Sequence, residues 1–415
     1  QLAVNIKLHN CGLFHILIIN QKIWKLTPIY WHIWILLDLL ILFYSNKIMR
    51  NYLEFEKEIK SLEENLDASK NPFDKDGISE VDTKKIETIQ DDINEKLENI
   101  YSNLNSWQKT LVARHEDRPR ANFYVNKIVS DFTQLSGDRL FGEDKSIIAG
   151  LGYIDNKSVL VLAQEKGEDL NSRLERNFGM MKPEGYRKCI RLMKLADRFG
   201  IPVISFIDTP GAYPGIGAEQ RGQAGAIAHS IECCMSLRVP NISIIIGEGG
   251  SGGAIALASS NKVIMLEHSI YSVISPEGCA SILWRDPSKS LEAAEAMKLT
   301  ASELMKIGVV DEIINEPLGG AHRDNEKIAS NVKESIIKNL KSFENLSGDQ
   351  IYNQRKVKFL KIGRDQGFKT STGLNESKLS YVETGLPQFF KFTQNKKVIL
   401  FGAFILVVLA FILMF

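Results

Sequence analysis

Apolar and polar residues alternate along the middle of this chain in the pattern of strands followed by helices. Short apolar runs predict strands at Ser146–Ile154, Ser158–Gln164, Val203–Ile207, Ile242–Ile246 and Lys262–Leu266. Apolar residues three or four positions apart predict helices at Pro183–Phe199, Ala218–Met235 and Gly252–Ala258. Gly200 suits the C′ position of the first of these helices. Strands that alternate with helices predict βαβ units and a mostly parallel sheet.

The segment before this α/β pattern has a different composition. Tyr52–Leu104 is highly charged, and its apolar residues recur at helical spacing, with breaks expected near Asn71–Pro72 and Asp76–Gly77. We therefore expect a helical arm over residues 49–118, the main domain over 119–345 and a helical tail over 346–368.

The first 48 residues do not match the rest of the chain. They begin with Gln and contain the apolar run Trp31–Tyr44, which is interrupted by Asp38 and is short for a membrane span. Met49 opens a new, charged composition. We interpret residues 1–48 as upstream sequence or a hydrophobic leader and Met49 as the natural start; a signal anchor is the alternative.

The last residues form a second apolar segment. Lys396 and Lys397 precede Val398–Phe415, 18 residues without a charge. At 1.5 Å per residue a helix of this length spans about 27 Å, close to the thickness of a bilayer core. A buried core helix is the weaker alternative, because such a helix needs burial on every face. We expect a polar linker at 369–395 and a membrane anchor at 396–415, with the lysines on the cytoplasmic side.

Composition narrows the possible functions. The 415 residues carry a net charge of +1, which gives no electrostatic case for binding nucleic acid. The five cysteines form no C-x-x-C pair, so neither a zinc site nor a disulfide framework is indicated, and we expect a cytoplasmic protein that binds no metal.

Two glycine-rich turns carry the strongest chemical signal. The predicted strands Val203–Ile207 and Ile242–Ile246 each run into a glycine-rich turn and then into a helix. In open α/β sheets this arrangement brings backbone N–H groups and helix N-termini to one crevice. Two such turns indicate a site that stabilises developing negative charge with backbone amides, for which glycine permits close approach and positive φ.

Five motifs in order resemble one family. They are Arg176–Lys188 (RNFGMMKPEGYRK), Phe206–Gln223 (FIDTPGAYPGIGAEQRGQ), Ile246–Ala254 (IGEGGSGGA), Tyr271–Asp286 (YSVISPEGCASILWRD) and Glu316–Arg323 (EPLGGAHR). Together with the opening at Met49 they resemble the alpha subunits of bacterial acetyl-CoA carboxylase carboxyltransferase over about Met49–Phe368. The resemblance implies an α/β fold of the ClpP/crotonase type, a spiral of ββα units. Members of the family usually lack the two apolar end segments.

The resemblance also implies a reaction and a site. Members transfer a carboxyl group from biotin to acetyl-CoA, which gives malonyl-CoA for fatty acid synthesis and places negative charge on two carbonyl oxygens in turn. One amide hole belongs to this subunit, and the sequence does not decide which two amides form it or indicate a side-chain base. The carried-over candidates for the hole are Gly211, Ala212, Gly249, Gly250, Gly252 and Gly253. The substrate-binding candidates are Tyr213, Pro214, Ser275, Glu277 and Gly278.

Each of these assignments has a plainer alternative. Glycine turns between strand and helix are often only tight turns, and Ser275-Pro276 also fits a helix N-cap with Pro at N1. Arg176, Lys182, Arg187 and Lys188 either contact the phosphates of CoA or form a solvated helix face.

Partners follow from the resemblance as well. A beta subunit supplies the second hole, biotin arrives covalently on a carrier protein, and a biotin carboxylase consumes ATP. This chain has no G-x-x-x-x-G-K-[ST] loop of its own. An α2β2 heterotetramer is expected.

Two functions of other classes remain open from the residues alone. Gly249–Gly253 satisfies G-x-S-x-G, so Ser251 is a candidate hydrolase nucleophile, with His268 or His322 and Asp286 or Asp311 completing a triad. The turn after Ile207 has no role in such an enzyme. The second alternative, a membrane scaffold without catalysis, leaves both glycine turns unexplained. Otherwise His229, His268 and His322 are expected to be structural or surface residues.

Overall fold

The computed structural model of the chain describes residues 50–70 and 82–363, together with the backbone of a short hairpin, Phe73–Asp74 and Gly77–Ile78. The predicted leader at 1–48 and the predicted linker and anchor at 369–415 lie outside the described residues. Within the part that is described, no helix is both long enough and apolar enough to cross a membrane.

One mixed sheet organises the described chain. Its strands are β1 (Ser130–Gln134), β2 (Ile147–Ile154), β3 (Lys157–Gln164), β4 (Val203–Thr209), β5 (Asn241–Gly250), β6 (Lys262–Leu266), β7 (Ile270–Ser272) and β8 (Glu312–Ile314). The strand order is β8-β6-β5-β4-β3-β2-β1, antiparallel from β1 to β3 and parallel from β3 to β8. The predicted parallel sheet is therefore confirmed, with an antiparallel edge.

Helices cover both faces of this sheet. The first six are α1 (Lys57–Lys70), α2 (Thr83–Ser102), α3 (Ser106–Ala113), α4 (Ala121–Ile128), α5 (Leu170–Glu175) and α6 (Pro183–Phe199). The next four are α7 (Ile216–Gln220), α8 (Gln223–Ser236), α9 (Ser251–Ala258) and α10 (Pro276–Leu283). The last four are α11 (Ser290–Met297), α12 (Ala301–Lys306), α13 (Asn325–Ser342) and α14 (Gly348–Lys361). Single 3₁₀ turns lie at Glu54–Glu56, Asn177–Gly179 and Pro287–Lys289.

Strand β5 shows how the sheet becomes a spiral. Its first half, from Ile242 to Ile245, pairs with β6, whereas its last three residues, Glu248–Gly250, pair with β7. The single strand β5 thus changes its pairing partner from β6 to β7 along its length. The expected α/β fold of the crotonase type is confirmed.

Two apolar layers hold the sheet, because successive strand residues point to opposite faces. On β4, Val203 and Ile207 pack with α6, α8 and α9, whereas Ile204 and Phe206 pack with α4 and α13. A third cluster joins α1 and α2 through Ile59, Ile93 and Leu97, as the helical spacing of the arm predicted.

Two glycines with positive φ mark helix boundaries, one that the sequence predicted and one that it did not. Gly200 ends α6 with φ +69, as predicted, because a left-handed C′ residue has no Cβ penalty when it is glycine. The single helix predicted over Ala218–Met235 is wrong. Gly222 has φ +80 and separates α7 from α8, so the chain turns there instead of continuing as one helix.

Arg355 on α14 is fully buried and satisfies backbone carbonyls at the end of α8. Its guanidinium donates to Leu237 O at 2.7 Å, to Met235 O at 3.3 Å and to Val239 O at 3.0 Å. It also donates to Asn261 Oδ1 through Nε at 3.1 Å. The carbonyls at this helix end are therefore paired with a donor far along the chain, which a buried helix end requires.

Candidate active site

The first glycine turn follows β4 and is fixed by a side chain of that strand. Thr209 Oγ1 accepts from Gly211 N at 3.2 Å and donates to Gly211 O at 2.7 Å. Tyr213 N donates to Met181 O at 3.0 Å. Ala212, between these two donors, gives its N–H to no other described residue. One backbone donor of the turn is thus available.

The second glycine turn joins β5 to α9. Gly250 is the N-cap of α9 and has no side chain with which to cap it. The N–H groups of Ser251, Gly252 and Gly253 open this helix, where backbone donors have no intrahelical acceptor. The positive end of the helix dipole lies at the same place, so the turn favours negative charge.

The two turns touch each other through their main chains. A Cβ on Gly250 would lie 2.1 Å from Pro210 O, and one on Gly253 would lie 2.6 Å from Gly211 O. No real Cβ is found at such distances, so these two positions require glycine. The structure therefore brings together Gly211, Ala212, Gly250 and Gly253.

The other two glycines of the second turn, Gly249 and Gly252, do not have the positive φ that the sequence analysis expected. A Cβ on Gly252 would meet only the Ile227 side chain, at 3.5 Å, which is ordinary contact. One on Gly249 would approach Tyr271 Cδ2 at 3.1 Å. The positive φ expected of the second turn falls on Ser251, at +49°, and on none of its glycines. Close approach, not positive φ, is what requires glycine in this turn.

An apolar cavity of about 280 Å³ opens beside the start of α9. Its described lining residues are Ser251, Gly252, Ile255, Tyr271, Ser272, Val273, Leu304 and Val309. Among them there is no carboxylate, imidazole or amine. A ligand in this cavity would meet apolar side chains and the uncapped N–H groups of α9.

The predicted substrate-binding residues lie outside this lining. Tyr213 is half-buried, with Lys182 Nζ 5.1 Å from its ring centroid, and Pro214 is exposed. Ser275 caps α10 by accepting from Gly278 N at 3.1 Å, which confirms the N-cap interpretation with Pro276 at N1. The described contacts thus show Ser275 and Gly278 in a helix cap.

Charged side chains next to the turns were missed by the sequence analysis. Asp208 lies just before the first turn and Glu248 just before the second, and both are buried. Lys166 Nζ lies 2.8 Å from Asp208 Oδ1 and 3.0 Å from Glu248 Oε2. Arg114 Nη2 is 2.7 Å from Glu248 Oε1, and its Nη1 is 2.6 Å from Glu277 Oε1. Glu277 therefore belongs to an ion-pair network.

Burial alone would raise the pKa of each of these two acids. For Asp208 the charges of Lys166 and Arg120 outweigh burial and hold the pKa of the carboxyl below its ordinary value. For Glu248 the charges of Lys166 and Arg114 also outweigh burial and lower the pKa. Both side chains are therefore carboxylates at neutral pH. A single acid at the end of each apolar run, in FIDTPG and IIGEGG, is the sequence signal that could have identified them.

Three of the four basic residues considered for CoA phosphates make polar side-chain contacts within the fold. Lys188 is fully buried and donates to Ile147 O at 2.7 Å and to Asp144 O at 3.0 Å, so the solvated helix face is wrong for this residue. Arg187 pairs with Asp138 at 2.7 Å. Arg176 donates to Lys145 O at 2.7 Å.

In the described part of the chain, the histidines proposed for the hydrolase alternative pack against other aromatic rings. The His268 ring packs on Tyr101 and the His322 ring stacks on His115, and in the described chain Nδ1 of neither ring has a hydrogen-bond partner. Asp286 accepts from Ser288 N at 3.0 Å within its own turn. Asp311 accepts from Val263 N at 2.7 Å. No described hydrogen bond joins Ser251 to either histidine.

A cluster with metal-binding side chains lies between the helical arm and the sheet. Potential ligand atoms of Glu56, His115 and His322 lie within 4.8 Å of one another. However, His115 Nδ1 accepts from Asp117 N at 3.1 Å, so Nε2 carries the proton and donates to Asn51 O at 3.0 Å. Glu56 Oε1 accepts from Tyr101 Oη and from Arg323. Both ring nitrogens of His115 are engaged in these hydrogen bonds, so its imidazole has no lone pair left for a cation.

The fold, with two glycine turns that meet at the start of α9, is that of a crotonase-type α/β enzyme. Residues 52–363 match the family described as "Acetyl co-enzyme A carboxylase carboxyltransferase-like". The acetyl-coenzyme A carboxylase carboxyl transferase subunit alpha of Pelagibacter ubique (strain HTCC1062) is 62% identical over 364 residues, which cover 86% of this chain and 98% of that protein. The corresponding subunit of Rhodopseudomonas palustris (strain BisA53) is 52% identical over 324 residues, 77% of this chain and 99% of that protein.

Among solved structures, this chain is similar to transcarboxylase 12S with hydrolysed methylmalonyl-coenzyme A bound. The TM-score is 0.45 at 18% identity, over 55% of this chain and 42% of that one. The match over residues 52–363 and the identity to the bacterial subunits show that this chain belongs to the family of acetyl-CoA carboxylase carboxyltransferase alpha subunits. It is a transferase subunit of a multi-subunit carboxylase that produces malonyl-CoA, and the resemblance read from its motifs is confirmed.

Proposed function

We propose that the N–H groups of Ala212 and Gly252 form the amide hole that this subunit contributes to carboxyl transfer. The observation that supports this proposal is the main-chain contact of the two glycine turns, because it places an available donor of one turn against the uncapped start of α9. Gly252 also lines the cavity. A preorganised N–H donor of this kind contributes about 3–4 kcal/mol to transition-state stabilisation.

The cavity fits the ring system of biotin. That ring system is neutral, has an apolar thioether half and carries one strongly accepting carbonyl oxygen. An apolar wall with backbone donors at one end complements both properties, and the described lining offers no charge that would need a partner. Biotin on its carrier supplies the carboxyl group when it is bound. Ala212 and Gly252 would bind the ring oxygen, and Val273, Leu304 and Ile255 would exclude water.

The described lining residues include no carboxylate, imidazole or amine, which also fits the assignment. Such a site can orient reactants and stabilise charge, but its own side chains do not remove a proton. We therefore expect acetyl-CoA to be bound and activated mainly by a beta subunit, so that two chains complete one active site. A biotin carrier and a biotin carboxylase that consumes ATP complete the assembly, with α2β2 as the expected carboxyltransferase unit.

Replacement of Gly252 tests the hole directly. Gly252→Pro removes one N–H, and position 252 is the second residue of α9, where no intrahelical bond is lost. Gly252→Ala is the matched control, since it keeps the N–H and its Cβ has room. We expect the proline variant to lose about 10²–10³-fold in kcat for malonyl-CoA formation with the beta subunit and carboxylated carrier. The alanine variant should remain within about 5-fold of the unaltered chain. Equal activities of the two variants, with equal thermal stability and beta-subunit binding, would disprove the assignment.

Separation of the subunits tests the shared site. Residues 49–368 alone should fold but should form no malonyl-CoA from carboxybiotin, and addition of the beta subunit should restore the activity. Analytical ultracentrifugation of the mixture reports the stoichiometry. Carboxyl transfer by the purified chain alone would contradict the division of the site between two subunits.

A membrane tether is proposed for the C-terminal segment. Its support is the sequence, in which Val398–Phe415 has no charge and follows a lysine pair and a polar stretch. Deletion of 396–415 should move the protein from the membrane fraction to the supernatant and preserve malonyl-CoA synthesis. Recovery of the full-length chain in the supernatant without detergent would refute the tether.

A further inference from the structure

The two strands that lead into the glycine turns are not in simple register. Ile207 of β4 is paired with Ile245 of β5, but Thr209 is paired with Gly249. Two steps along β4 therefore correspond to four steps along β5, so that β5 bulges at Gly247 and Glu248. This bulge determines how closely Gly250 approaches Pro210 and Gly211. It therefore also determines the distance between the backbone N–H donors of the two turns.

The ammonium group of Lys166 lies next to the bulge and contacts a carboxylate on each of the two strands. Its ammonium is bound both by Asp208, before the first turn, and by Glu248, before the second, at 2.8 Å and 3.0 Å. The Asp208 carboxylate also accepts a hydrogen bond from Glu248 N, at 3.0 Å. A Cβ on Gly247 would lie 2.6 Å from Asp208 Oδ1, so the carboxylate reaches the bulge only because residue 247 is glycine.

The segment above Lys166 is strained and closes over it. Asn177, Phe178 and Gly179 all have positive φ, at 48°, 55° and 80°, although left-handed backbone costs a non-glycine residue roughly 1–2 kcal/mol. A Cβ on Gly179 would lie 2.9 Å from Lys166 Cγ and 2.8 Å from Asp208 O. This strained turn therefore packs directly on the lysine stem. It also limits the exposure of the Lys166 side chain to 12%.

We propose that Lys166 is a positioning residue of the carboxyltransferase site, whose ammonium holds the two carboxylates together and thereby fixes the spacing of the glycine turns. This inference rests on the proposed amide hole. Lys166 lines neither turn itself and acts through Asp208 and Glu248. Without its charge the two buried carboxylates repel each other across the bulge, and the turns separate.

Other charged groups surround this trio. Arg114, the C-cap of α3, pairs with Glu248 and with Glu277 of α10, and Arg120, before α4, lies 3.5 Å from Asp208. Glu165 on the Lys166 segment accepts from Asn122 N and from Gly167 N, and it acts electrostatically on Asp208. Arg118 also acts on Asp208. Among the groups joined by direct ion pairs, Arg114, Arg120 and Lys166 carry three positive charges against three negative charges on Asp208, Glu248 and Glu277. Loss of Lys166 therefore leaves an excess carboxylate among them.

The test measures steady-state kinetics of the chain assembled with its beta subunit, with carboxylated carrier and acetyl-CoA as substrates. Lys166→Met keeps the length of the stem and removes the charge. It should lower kcat by about 10²-fold, the effect of a misplacement of roughly 1 Å, with KM within about 3-fold. Lys127→Met, which removes a surface lysine paired with Glu326, is the matched control and should leave kcat unchanged.

Two readouts separate positioning from a general loss of structure. Protonation relieves repulsion between carboxylates, so the deficit of Lys166→Met should shrink several-fold between about pH 8 and about pH 6. Lys166→Met with Glu248→Gln restores charge balance and should be less impaired than Lys166→Met alone. Glu248→Gln alone should lower kcat without changing KM. This single variant keeps the test decisive should Lys166→Met not fold.

Each remaining outcome counts against the inference. A kcat of Lys166→Met within about 2-fold of the unaltered chain, a deficit that does not change with pH, or losses that simply add in the double variant would overturn it. If Gly252→Pro is inactive while Lys166→Met is fully active, only the role of Lys166 fails. If Gly252→Pro is active, the amide hole itself fails.

Discussion

Gly253 lies directly against Gly211, so that a methyl group on Gly253 Cα would come within 2.6 Å of the Gly211 carbonyl oxygen. The contact joins the start of α9 to the turn after β4, main chain to main chain. The distance between the two turns is therefore determined by the absence of side chains as well as by the charged network next to them.

Alanine at the close contacts should separate the turns. We expect Gly250→Ala and Gly253→Ala each to lower kcat by about 10²-fold or more, because the added methyl must push backbone atoms apart. Overpacking of this kind also costs about 1–3 kcal/mol of unfolding free energy. Gly252→Ala has room and serves as the control. Steady-state assays and thermal unfolding of the three variants check this order, and a Gly252→Ala variant as impaired as the other two would contradict it.

Ser251 should be replaceable by glycine. It has φ +49, a conformation that is unfavourable for serine and costs glycine nothing sterically. Ser251→Gly should therefore keep its activity and gain up to about 1 kcal/mol in unfolding free energy, whereas Ser251→Val should be destabilised. Chemical denaturation and kinetics of the two variants make the comparison. Loss of activity in Ser251→Gly, or labelling of Ser251 by a fluorophosphonate probe, would instead support a serine nucleophile.

His322 should make the protein less stable in mild acid. Burial, the neighbouring ring of His115 and the charge of Arg118 together lower the pKa of His322 to about 2. The unfolded chain takes up a proton near pH 6.5 and the folded chain does not, so the stabilisation is complete above pH 6.5 and is lost as the pH falls below it. The expected loss between pH 7 and pH 5 is about 2 kcal/mol.

Replacement of this histidine checks the assignment. His322→Phe keeps an aromatic ring against His115 and removes the titrating group, whose Nδ1 has no described hydrogen-bond partner. Denaturant unfolding of this variant should depend on pH less steeply over the same range. An unchanged slope would show that other groups cause the acid sensitivity.

The buried Arg118–Glu316 pair should be costly to break. Arg118 donates to both carboxylate oxygens, at 2.6 Å and 2.9 Å, and to Ile246 O at 2.7 Å. Arg118→Met leaves Glu316 charged and buried and should cost about 3–5 kcal/mol. Arg118→Met with Glu316→Gln should recover part of that loss, as measured by urea unfolding. A double variant that is no more stable than the single one would show that the lost charge pairing is not the cause.

Local chemistry allowed several elements to be predicted from sequence. The helix Pro183–Phe199 has Pro at its first position and a glycine at its C′ position, and its observed bounds are the predicted ones. The cap at Ser275-Pro276 was equally local. By contrast, β5 was expected to end at Ile246 but continues to Gly250, because its glycine-rich end pairs with β7, a strand of three residues without a pattern of its own.

Part of the candidate site was also predictable, because its glycines lie in local sequence motifs. The glycines that lie close together were identified from the motifs they occupy. The reason that glycine is required there, the close approach of Gly250 to Pro210, depends on the bulge in β5. Lys166, Asp208 and Glu248 come from three different strands or strand ends. No spacing along the chain relates them, so only the folded sheet reveals that they share one network.

Arg355 has a consequence for how the protein is synthesised. The carbonyls of Leu237 and Val239 receive their donor from a residue that the ribosome adds more than a hundred positions later. Until that residue has emerged, a nascent chain has no guanidinium to place at the end of α8. The sheet and its glycine turns can form earlier, since proteins fold progressively from the N-terminus during synthesis. A translation product that stops before Arg355 should therefore remain a substrate for chaperones and proteases even though its catalytic motifs are complete.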